Sequence, residues 1–241
     1  MFTATADLYD LIYSFKDYRG EAQKIRELIA RQRPGARSIL DVACGTAEHA
    51  RFLAADFAVD GIDIEPRFIE IAKGKLPGGD FRVADMRSFQ MPSRYDVVQC
   101  LFSAIGVLLT AEDVVAALTC CRRHLAPGGI ALIEPWISPD AFKPGHLSMV
   151  TVDRPDVKIC RMCVSERERN ISVLHFQYLV ADKEGFRQVE ETHRLALRST
   201  EEMTSLLRQA GLEPTFDPVG IFGRGLFIAR AAAACGGSTV T

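Results

Sequence analysis

Small and acidic residues directly follow the first strand-like segment of the chain, and their types indicate a binding site. Residues 38–49 read SILDVACGTAEH, and the apolar positions at the start are typical of a strand buried on both faces of a parallel sheet. Of the three glycines in a dinucleotide-binding G-x-G-x-x-G pattern only Gly45 is present, and Asp41 and Glu48 add negative charge. The turn therefore favours a ligand with a cationic amino-acid end over a diphosphate.

Two further carboxylates end the next two strand-like segments. Asp63 lies about 20 residues past the turn, where an acid accepts hydrogen bonds from both hydroxyls of a ribose. Asp85 follows residues 81–84 and is placed to accept from the amino group of an adenine, with Met86 against the ring face. An adenine, a ribose and an amino-acid cation together indicate S-adenosylmethionine.

These motifs resemble those of class I S-adenosylmethionine-dependent methyltransferases. The matching segments are LDVACGT at 40–46, Asp63, and DMR at 85–87. A bare Rossmann-like unit of another function is the alternative. The resemblance implies S-adenosylmethionine as the cofactor. The expected contacts are Asp41, Ala43, Cys44, Gly45, His49, Asp63, Ile64, Asp85, Met86, Arg87, Leu101 and Phe102.

Three tyrosines lie close together ahead of the first strand. Tyr9, Tyr13 and Tyr18 precede or adjoin an amphipathic helix predicted at 21–31. Their rings suit a cap that covers the cofactor while the hydroxyls stay hydrogen-bonded. The alternative is a helix packed on the edge of the sheet.

Strand and helix signals alternate along the first part of the chain, which predicts an α/β fold with a doubly wound, Rossmann-like, mostly parallel seven-stranded sheet. The strands are predicted at 39–42, 59–64, 81–84, 95–102 and 130–133, and the helices between them at 48–55, 67–76 and 111–125. A helix at 200–210 and an antiparallel pair at 213–221 and 225–231 complete this sheet.

After the fifth strand, the alternation of strand and helix signals gives way to a series of strand signals. Residues 149–165, 171–181 and 186–197 alternate polar and apolar side chains, which is typical of a small antiparallel sheet. The predicted organisation is a methyltransferase domain with an N-terminal helical cap, an inserted antiparallel sheet, and a disordered tail. These units cover 1–137 with 198–231, then 138–197, and 232–241.

A methyl acceptor is expected over the carboxyl ends of the fourth and fifth strands, below the inserted sheet. Methyl transfer from a sulfonium is an in-line displacement, so positioning supplies most of the rate and a base is needed only for a protonated or weakly nucleophilic acceptor. The candidate catalytic residues are His175, His193 and Glu134, and the candidate substrate contacts are Ser103, Ile105, Val107, Trp136 and the same two histidines. Each histidine could instead be structural, Trp136 could be core, and Glu134 could tie a loop to backbone amides.

A more specific resemblance covers nearly the whole chain. FSAIG at 102–106, EPW at 134–136, the strand of His175, ETHR at 191–194 and GRGLF at 223–227 are similar to the N,N-dimethyltransferases of nucleotide-linked amino sugars, of the desosamine and mycaminose types. The resemblance implies successive methylation of a sugar amine, an inserted sheet that covers the sugar and forms a homodimer, and contact of Arg224 with the nucleotide-sugar. Without the resemblance, Arg224 could equally pair with a carboxylate on the sheet edge.

The chain also departs from that family. Val107 stands where the family carries His or Tyr, Ala47 replaces a glycine, and Glu48 replaces an apolar residue. These changes touch the cofactor turn and the acceptor pocket. O- or C-methylation of another small metabolite, and a non-catalytic binding module with the same fold, are therefore the alternative functions.

Composition disfavours several other classes. The 241 residues carry a formal net charge of −2, so no basic surface indicates nucleic acid. No apolar stretch is long enough for a bilayer and no leader pattern opens the chain, so a cytoplasmic protein without membrane contact is expected. Cys160 and Cys163 form a CxxC, but positions three apart on a strand face opposite sides, so free thiols are expected and no metal.

Overall fold

A computed structural model describes residues 5–232 of the protein. The predicted disordered tail lies, apart from Ala232, outside the described residues. The helices are α1 (Tyr9–Ile12), α2 (Tyr18–Gln32), α3 (Glu48–Leu53), α4 (Pro66–Lys75), α5 (Ala111–Arg123) and α6 (Thr200–Gln209), with 3₁₀ turns at Ala6–Leu8 and Ala104–Val107. The strands are β1 (Ser38–Val42), β2 (Ala58–Asp63), β3 (Phe81–Val83), β4 (Tyr95–Cys100), β5 (Leu125–Ile133), β6 (Leu147–Asp153), β7 (Val157–Glu168), β8 (Ile171–Asp182), β9 (Gly185–Ala196), β10 (Leu212–Asp217) and β11 (Leu226–Ala231).

Seven strands form the main sheet in the order β10-β11-β5-β4-β1-β2-β3. Strands β1 to β5 run parallel, and β11 runs antiparallel to both of its neighbours. The predicted mostly parallel seven-stranded sheet is thus confirmed. Because the chain reverses its strand order between β1 and β4, a crevice opens there beyond the carboxyl ends of the strands.

Both faces of this sheet are buried, as the apolar strands predict. One face packs against α5 and α6, and the other packs against α2, α3 and α4. Ile39, Leu40 and Val42 of β1 are almost completely buried. Local signals start two of these helices: Pro66 opens α4, and Ser199 and Glu202 form a reciprocal capping box that opens α6.

Strand β4 is shorter than predicted, and the difference shapes the crevice. The apolar run was expected to continue to residue 102, but the strand ends at Cys100. Phe102 and Ser103 adopt φ values of 53° and 60°, which turn the chain away from the sheet. Such left-handed conformations are uncommon for residues other than glycine, so the surroundings of this turn must stabilise it.

Strand β5 begins earlier than predicted. Residues 125–129 were assigned to the end of a helix and a break, yet Leu125 already pairs with Tyr95. Gly129 allows β5 to run close to β4 at this point. A Cβ at position 129 would lie 3.0 Å from the carbonyl oxygens of Tyr95 and Asp96. Only glycine permits the two backbones to approach this closely.

The inserted unit is an antiparallel sheet of four strands in the order β6-β7-β8-β9. In the structure, the alternating run at 149–165 is divided between two strands. Residues 154–156 form a turn that is closed by a hydrogen bond from Arg154 N to Val157 O. Pro155 has no backbone N–H for a ladder and fits the turn, so the run becomes β6 and β7.

The inner face of the inserted sheet packs on the N-terminal segment rather than on the main sheet alone. Leu8, Ile12 and Tyr13 share one apolar cluster with Phe176 and Tyr178 of β8. The segment that carries the tyrosines is therefore held between the inserted sheet and the strand ends. Within residues 5–232, no helix is long and apolar enough to cross a membrane.

Candidate active site

One large cavity, of about 1890 Å³, lies beyond the carboxyl ends of β1, β2 and β4. The N-terminal segment closes one side and the inner face of the inserted sheet forms the roof. All expected cofactor contacts line it, including Tyr9, Tyr13 and Tyr18. Whether they touch the cofactor stays a prediction.

Asp63 is fixed at the tip of β2 by the turn after β1. The backbone N–H of Gly45 donates to one carboxylate oxygen and that of Glu65 to the other, both at 2.9 Å. Burial raises the pKa of Asp63, while the hydrogen bonds to Glu65 and Gly45 lower it. Each oxygen keeps a further lone pair for a ligand hydroxyl.

Asp41 and Asp85 place further negative charge around the same space. Asp41 is buried beneath the turn, and burial raises its pKa to about 7. Asp85 faces the Arg87 guanidinium, with Nη2 2.6 Å from Oδ2, and hydrogen bonds from this guanidinium lower the pKa of Asp85. The cofactor end of the cavity is thus acidic.

The three tyrosines form an aromatic wall. The rings of Tyr9 and Tyr13 lie 4.7 Å apart, and Tyr13 contacts Phe102 edge-on at 5.3 Å. Burial raises the pKa of Tyr9, Tyr13 and Tyr18, so these hydroxyls remain protonated donors at neutral pH. The wall adjoins the left-handed turn that follows β4.

Asp10 ties this N-terminal segment to the cofactor turn. Its carboxylate accepts from Thr46 Oγ1 of the turn and from Lys75 Nζ at the end of α4. Lys75 also donates to Glu48 at 2.6 Å. One lysine therefore links the segment, the turn and α4.

The acceptor end contains an arginine held between aromatic rings. The guanidinium of Arg224 lies 5.2 Å from the ring of Trp136 and 5.5 Å from that of Phe102. Its Nη1 donates to Ser103 Oγ at 3.1 Å, and Ser103 donates in turn to Pro135 O. Trp136 is fixed by a 2.8 Å hydrogen bond from its indole N–H to Ser172.

Comparison with known proteins agrees with this geometry. A family model described as a methyltransferase domain matches residues 39–129. The chain is 38% identical to the dTDP-3-amino-3,6-dideoxy-alpha-D-glucopyranose N,N-dimethyltransferase of Streptomyces fradiae, over 92% of this chain and 89% of that protein. It is 34% identical to the dTDP-3-amino-3,4,6-trideoxy-alpha-D-glucopyranose N,N-dimethyltransferase of Streptomyces venezuelae, over 92% and 96%.

Solved structures show the same similarity. DesVI of Streptomyces venezuelae superposes with a TM-score of 0.89 at 34% identity, over 94% of this chain and 98% of that chain. CalS10, an amino pentose methyltransferase from Micromonospora echinaspora solved with S-adenosylmethionine bound, superposes with a TM-score of 0.84 at 31% identity, over 96% and 98%. The chain is a class I S-adenosylmethionine-dependent methyltransferase. It belongs to the family that contains these sugar N-methyltransferases.

The cofactor end of the methyltransferase fits S-adenosylmethionine by charge and by space. The ligand carries a positive sulfur and an α-ammonium group, and the carboxylates of Asp41, Asp63 and Asp85 line this end. No atom lies within 4 Å of a Cβ built on Gly45, so the turn leaves its surface open to a ligand. A diphosphate would meet the carboxylates of Asp63 and Asp85 there.

Lys16 is a residue that the sequence reasoning missed. Its Nζ lies 3.1 Å from Glu21 Oε1 and 4.0 Å from the centre of the Phe102 ring, inside the methyltransferase cavity. Burial lowers the pKa of Lys16, although Glu21 opposes this shift. Glu21 also bonds His49 Nε2 at 2.8 Å, and burial lowers the pKa of His49. The only sequence signal was the position of Lys16 between two tyrosines.

His193 lies in the cavity of the methyltransferase. It is almost fully buried, and its Nε2 lies 3.3 Å from Glu191 Oε2. Glu191 also accepts hydrogen bonds from Thr5 and Tyr178. Burial would raise the pKa of Glu191, but the hydrogen bonds outweigh it and lower the pKa. His193 is therefore positioned by an ionised carboxylate.

His175 does not lie in the cavity, which corrects its assignment to the site. Leu174, Phe176 and Tyr178 face inward, so alternation along β8 turns His175 outward. Its side chain is 44% exposed and its Nε2 lies 3.4 Å from Glu166 on the same outer face. The alternating pattern correctly divided the side chains of β8 between the two faces of the sheet, but it did not show which face lines the cavity.

Ile105 and Glu134 also lie outside the cavity lining. Ile105 points from its 3₁₀ turn into the core beside α5. Glu134 is completely buried and accepts a hydrogen bond from the backbone N–H of Phe102. Of its two predicted roles, tying the loop to backbone amides is the one that the structure displays.

Proposed function

We propose that this methyltransferase transfers methyl groups to the amino nitrogen of a nucleotide-linked amino sugar. The observation that carries the proposal is an acidic cofactor end joined, in one cavity, to an acceptor end whose Arg224 is held between aromatic rings. Relatives that match over almost the whole chain are N,N-dimethyltransferases of dTDP-linked amino sugars. Two successive transfers to one nitrogen are therefore proposed.

S-adenosylmethionine supplies a methyl group on positively charged sulfur, and the protein supplies alignment. Asp63 would hold the ribose and Asp85 the adenine, while Lys16 would face the carboxylate of the amino-acid end. Trp136 and Arg224 would bind the acceptor, with Ser103 and Val107 lining the space between the two ligands. Positioning of this kind accounts for most of the rate of an in-line displacement.

Direct assay tests the function. The enzyme is incubated with S-adenosylmethionine and dTDP-3-amino-3,6-dideoxyglucose, and products are identified by mass spectrometry. We expect addition of one and then two methyl groups to the amine. The matched control is dTDP-6-deoxyglucose, which carries a hydroxyl in place of the amine. Methylation of the control would favour O-methylation, and cofactor binding without turnover of either compound would favour a binding module.

The inserted sheet at 138–197 is proposed as the lid over the acceptor and as the homodimer contact. Its outer face carries a continuous apolar patch formed by Leu147, Met149, Met162, Val164 and Leu179. Exposed patches of this kind mark association sites. We assign a second copy of the chain as the occupant, because charges of opposite sign flank the patch.

Lys158 and Glu166 lie at the two ends of the exposed side of β7, with Met162 midway between them. A two-fold axis at Met162 would bring Lys158 of each copy near Glu166 of the other. Light scattering after size exclusion tests this: the wild type is expected as a dimer and Met162→Glu as a monomer. Gln90→Glu, at an exposed position between β3 and β4, makes the same charge change outside the inserted sheet, and a monomeric wild type would overturn the proposal.

We further propose a cytoplasmic location and no nucleic-acid partner. The described cysteines are all free, which suits a reducing compartment. The net charge of −2 offers no general attraction to phosphate backbones. Retention on a nucleic-acid column at moderate salt would contradict the absence of a nucleic-acid partner. Secretion of the tagged chain from its host would contradict the cytoplasmic location.

A further inference from the structure

Arg161 is a buried cation in the roof of the acceptor end. It projects from the inner face of β7, is only 8% exposed, and lines the cavity. Its guanidinium lies 5.1 Å from the centre of the Tyr13 ring and 5.3 Å from that of Phe176. The side chain is therefore held between the N-terminal segment and the inserted sheet.

The charge of Arg161 is not matched by a carboxylate. Within residues 5–232, Arg161 forms no ion pair with an acid, and its buried Nη1 has no hydrogen-bond partner. Glu191, the acid on the neighbouring strand β9, is already engaged by Thr5, Tyr178 and His193. A buried N–H donor without an acceptor is costly, so a ligand that brings oxygen atoms is expected to supply one.

None of the other described groups packed around Arg161 forms an ion pair with it. Tyr13 from the N-terminal segment and Tyr178 from β8 are kept neutral, because burial raises the pKa of each hydroxyl. Cys163, the next inward residue of β7, also has its pKa raised by burial. The carboxylate of Glu191 contacts His193 rather than Arg161, with Oε2 3.3 Å from Nε2. Arg224, beside Trp136 and Phe102, adds a second positive charge to the acceptor end.

The two ends of the cavity thus carry opposite charge. Carboxylates surround the space that receives the cationic cofactor, and guanidinium groups border the space that receives the acceptor. We propose that Arg161 makes the acceptor end select the amino sugar with its amine unprotonated. The proposal rests on the proposed function, because it requires an amine acceptor.

This selection matters for the reaction. An ammonium nitrogen has no lone pair, so its proton must leave before the acceptor can react. The nitrogen lone pair then forms the bond to the methyl carbon, and the electron pair of the carbon–sulfur bond remains on sulfur. The methylated nitrogen carries the positive charge and loses its proton to water. Arg161 takes no proton in this sequence, since a guanidinium is already fully protonated.

Proton release on binding tests the proposal without turnover. dTDP-3-amino-3,6-dideoxyglucose is titrated by calorimetry into the enzyme saturated with S-adenosylhomocysteine, in buffers of different ionisation enthalpy. In neutral solution an aliphatic amine is largely protonated. Selection of the free amine therefore releases about one proton for each ligand molecule bound. dTDP-6-deoxyglucose has no amine and is expected to release none.

Variants identify Arg161 as the cause. Arg161→Gln is expected to release fewer protons than the wild type, and Arg161→Lys is expected to retain the release because it keeps the charge. Arg194→Gln, an exposed arginine of the same sheet, is the matched control and is expected to behave as the wild type. In turnover assays at saturating acceptor, the pH at which Arg161→Gln reaches half of its maximal kcat is expected to move upward, because kcat reports ionisation in the enzyme–substrate complex.

Each outcome of these experiments supports or contradicts the inference about Arg161. Binding of the amino sugar to the wild type without proton release would overturn the inference and leave the proposed function standing. Unchanged release in a folded Arg161→Gln variant would also overturn it. If this variant does not fold, Arg161→Met, which keeps the apolar stem and removes the charge, takes its place in the same titration with the same expected loss of proton release. Failure of the amino sugar to bind at all would overturn both proposals.

Discussion

The guanidinium of Arg224 lies 4.0 Å from Oε1 of Glu134, a buried carboxylate oxygen that has no hydrogen-bond partner among residues 5–232. The other oxygen of Glu134 accepts from the backbone N–H of Phe102. Glu134 therefore acts from behind the cavity wall, where it orients the left-handed turn after β4 and attracts the arginine that faces the acceptor.

The first prediction concerns the pH dependence of stability. Burial raises the pKa of Glu134 from 4.5 to about 7. Between these values the native state holds a proton that the unfolded chain has lost, so this group lowers stability as pH rises. The loss is at most about 3 kcal/mol, from about 1.4 kcal/mol for each pKa unit. Glu134→Gln removes it.

Urea unfolding of both proteins at about pH 5 and about pH 8 measures this effect. The free energy of unfolding of Glu134→Gln, relative to the wild type, is expected to increase toward the higher pH. Parallel pH dependences of the two proteins would show that the carboxyl ionises normally in the native state.

The second prediction concerns the cofactor. Asp63→Asn keeps the size of the side chain but replaces a charged acceptor, and hydrogen bonds to charged groups contribute about 1.5–3 kcal/mol. Affinity for S-adenosylhomocysteine is expected to fall by about ten- to a hundredfold in calorimetric titration. Asp56→Asn, at an exposed position after α3, is the control and should bind normally. Equal affinities of Asp63→Asn and wild type would remove Asp63 from the site.

The third prediction concerns the N-terminal segment. Lys75→Met keeps the apolar stem of the side chain but breaks its contacts with Asp10 and Glu48. The segment should then open more often, and S-adenosylhomocysteine should dissociate several-fold faster in stopped-flow displacement. Hydrogen exchange of residues 5–17 is expected to accelerate. Lys73→Met, two residues earlier on α4 and exposed, provides the comparison. Identical rates in both variants would refute the role of the Lys75 contacts.

The fourth prediction separates the two histidines of the inserted sheet. His193→Ala leaves buried Glu191 without one of its donors and opens space in the cavity, so the KM for the acceptor should rise markedly. His175→Ala lies on the outer face and should change kcat/KM by less than about twofold, as exposed substitutions usually do. Steady-state kinetics with the dTDP-amino sugar measures both. A larger loss of kcat/KM in His175→Ala than in His193→Ala would contradict the assignment of the acceptor site to the inner face of the inserted sheet.

The acceptor end shows why some assignments failed. Alternation along β8 separated the inward from the outward side chains, but an isolated pattern does not say which face meets a ligand. Arg161 is not among the site residues that the sequence predicts, because alternation alone does not show on which face of the sheet a single arginine lies. The position of Lys16 in the cavity depends on its contacts with Glu21 and Phe102. Because these contacts form only when the N-terminal segment folds, the sequence did not reveal them.

The sequence by itself determined the parallel sheet, the acidic turn after β1 and the carboxylates at the ends of β2 and β3. It could do so because residues close in sequence, or placed at successive strand ends, meet through regular secondary structure alone. Only the tertiary structure decided which face of the inserted sheet roofs the cavity and which cations border the acceptor. Those contacts join segments far apart in the chain, and their geometry depends on how the N-terminal segment and the inserted sheet pack against each other.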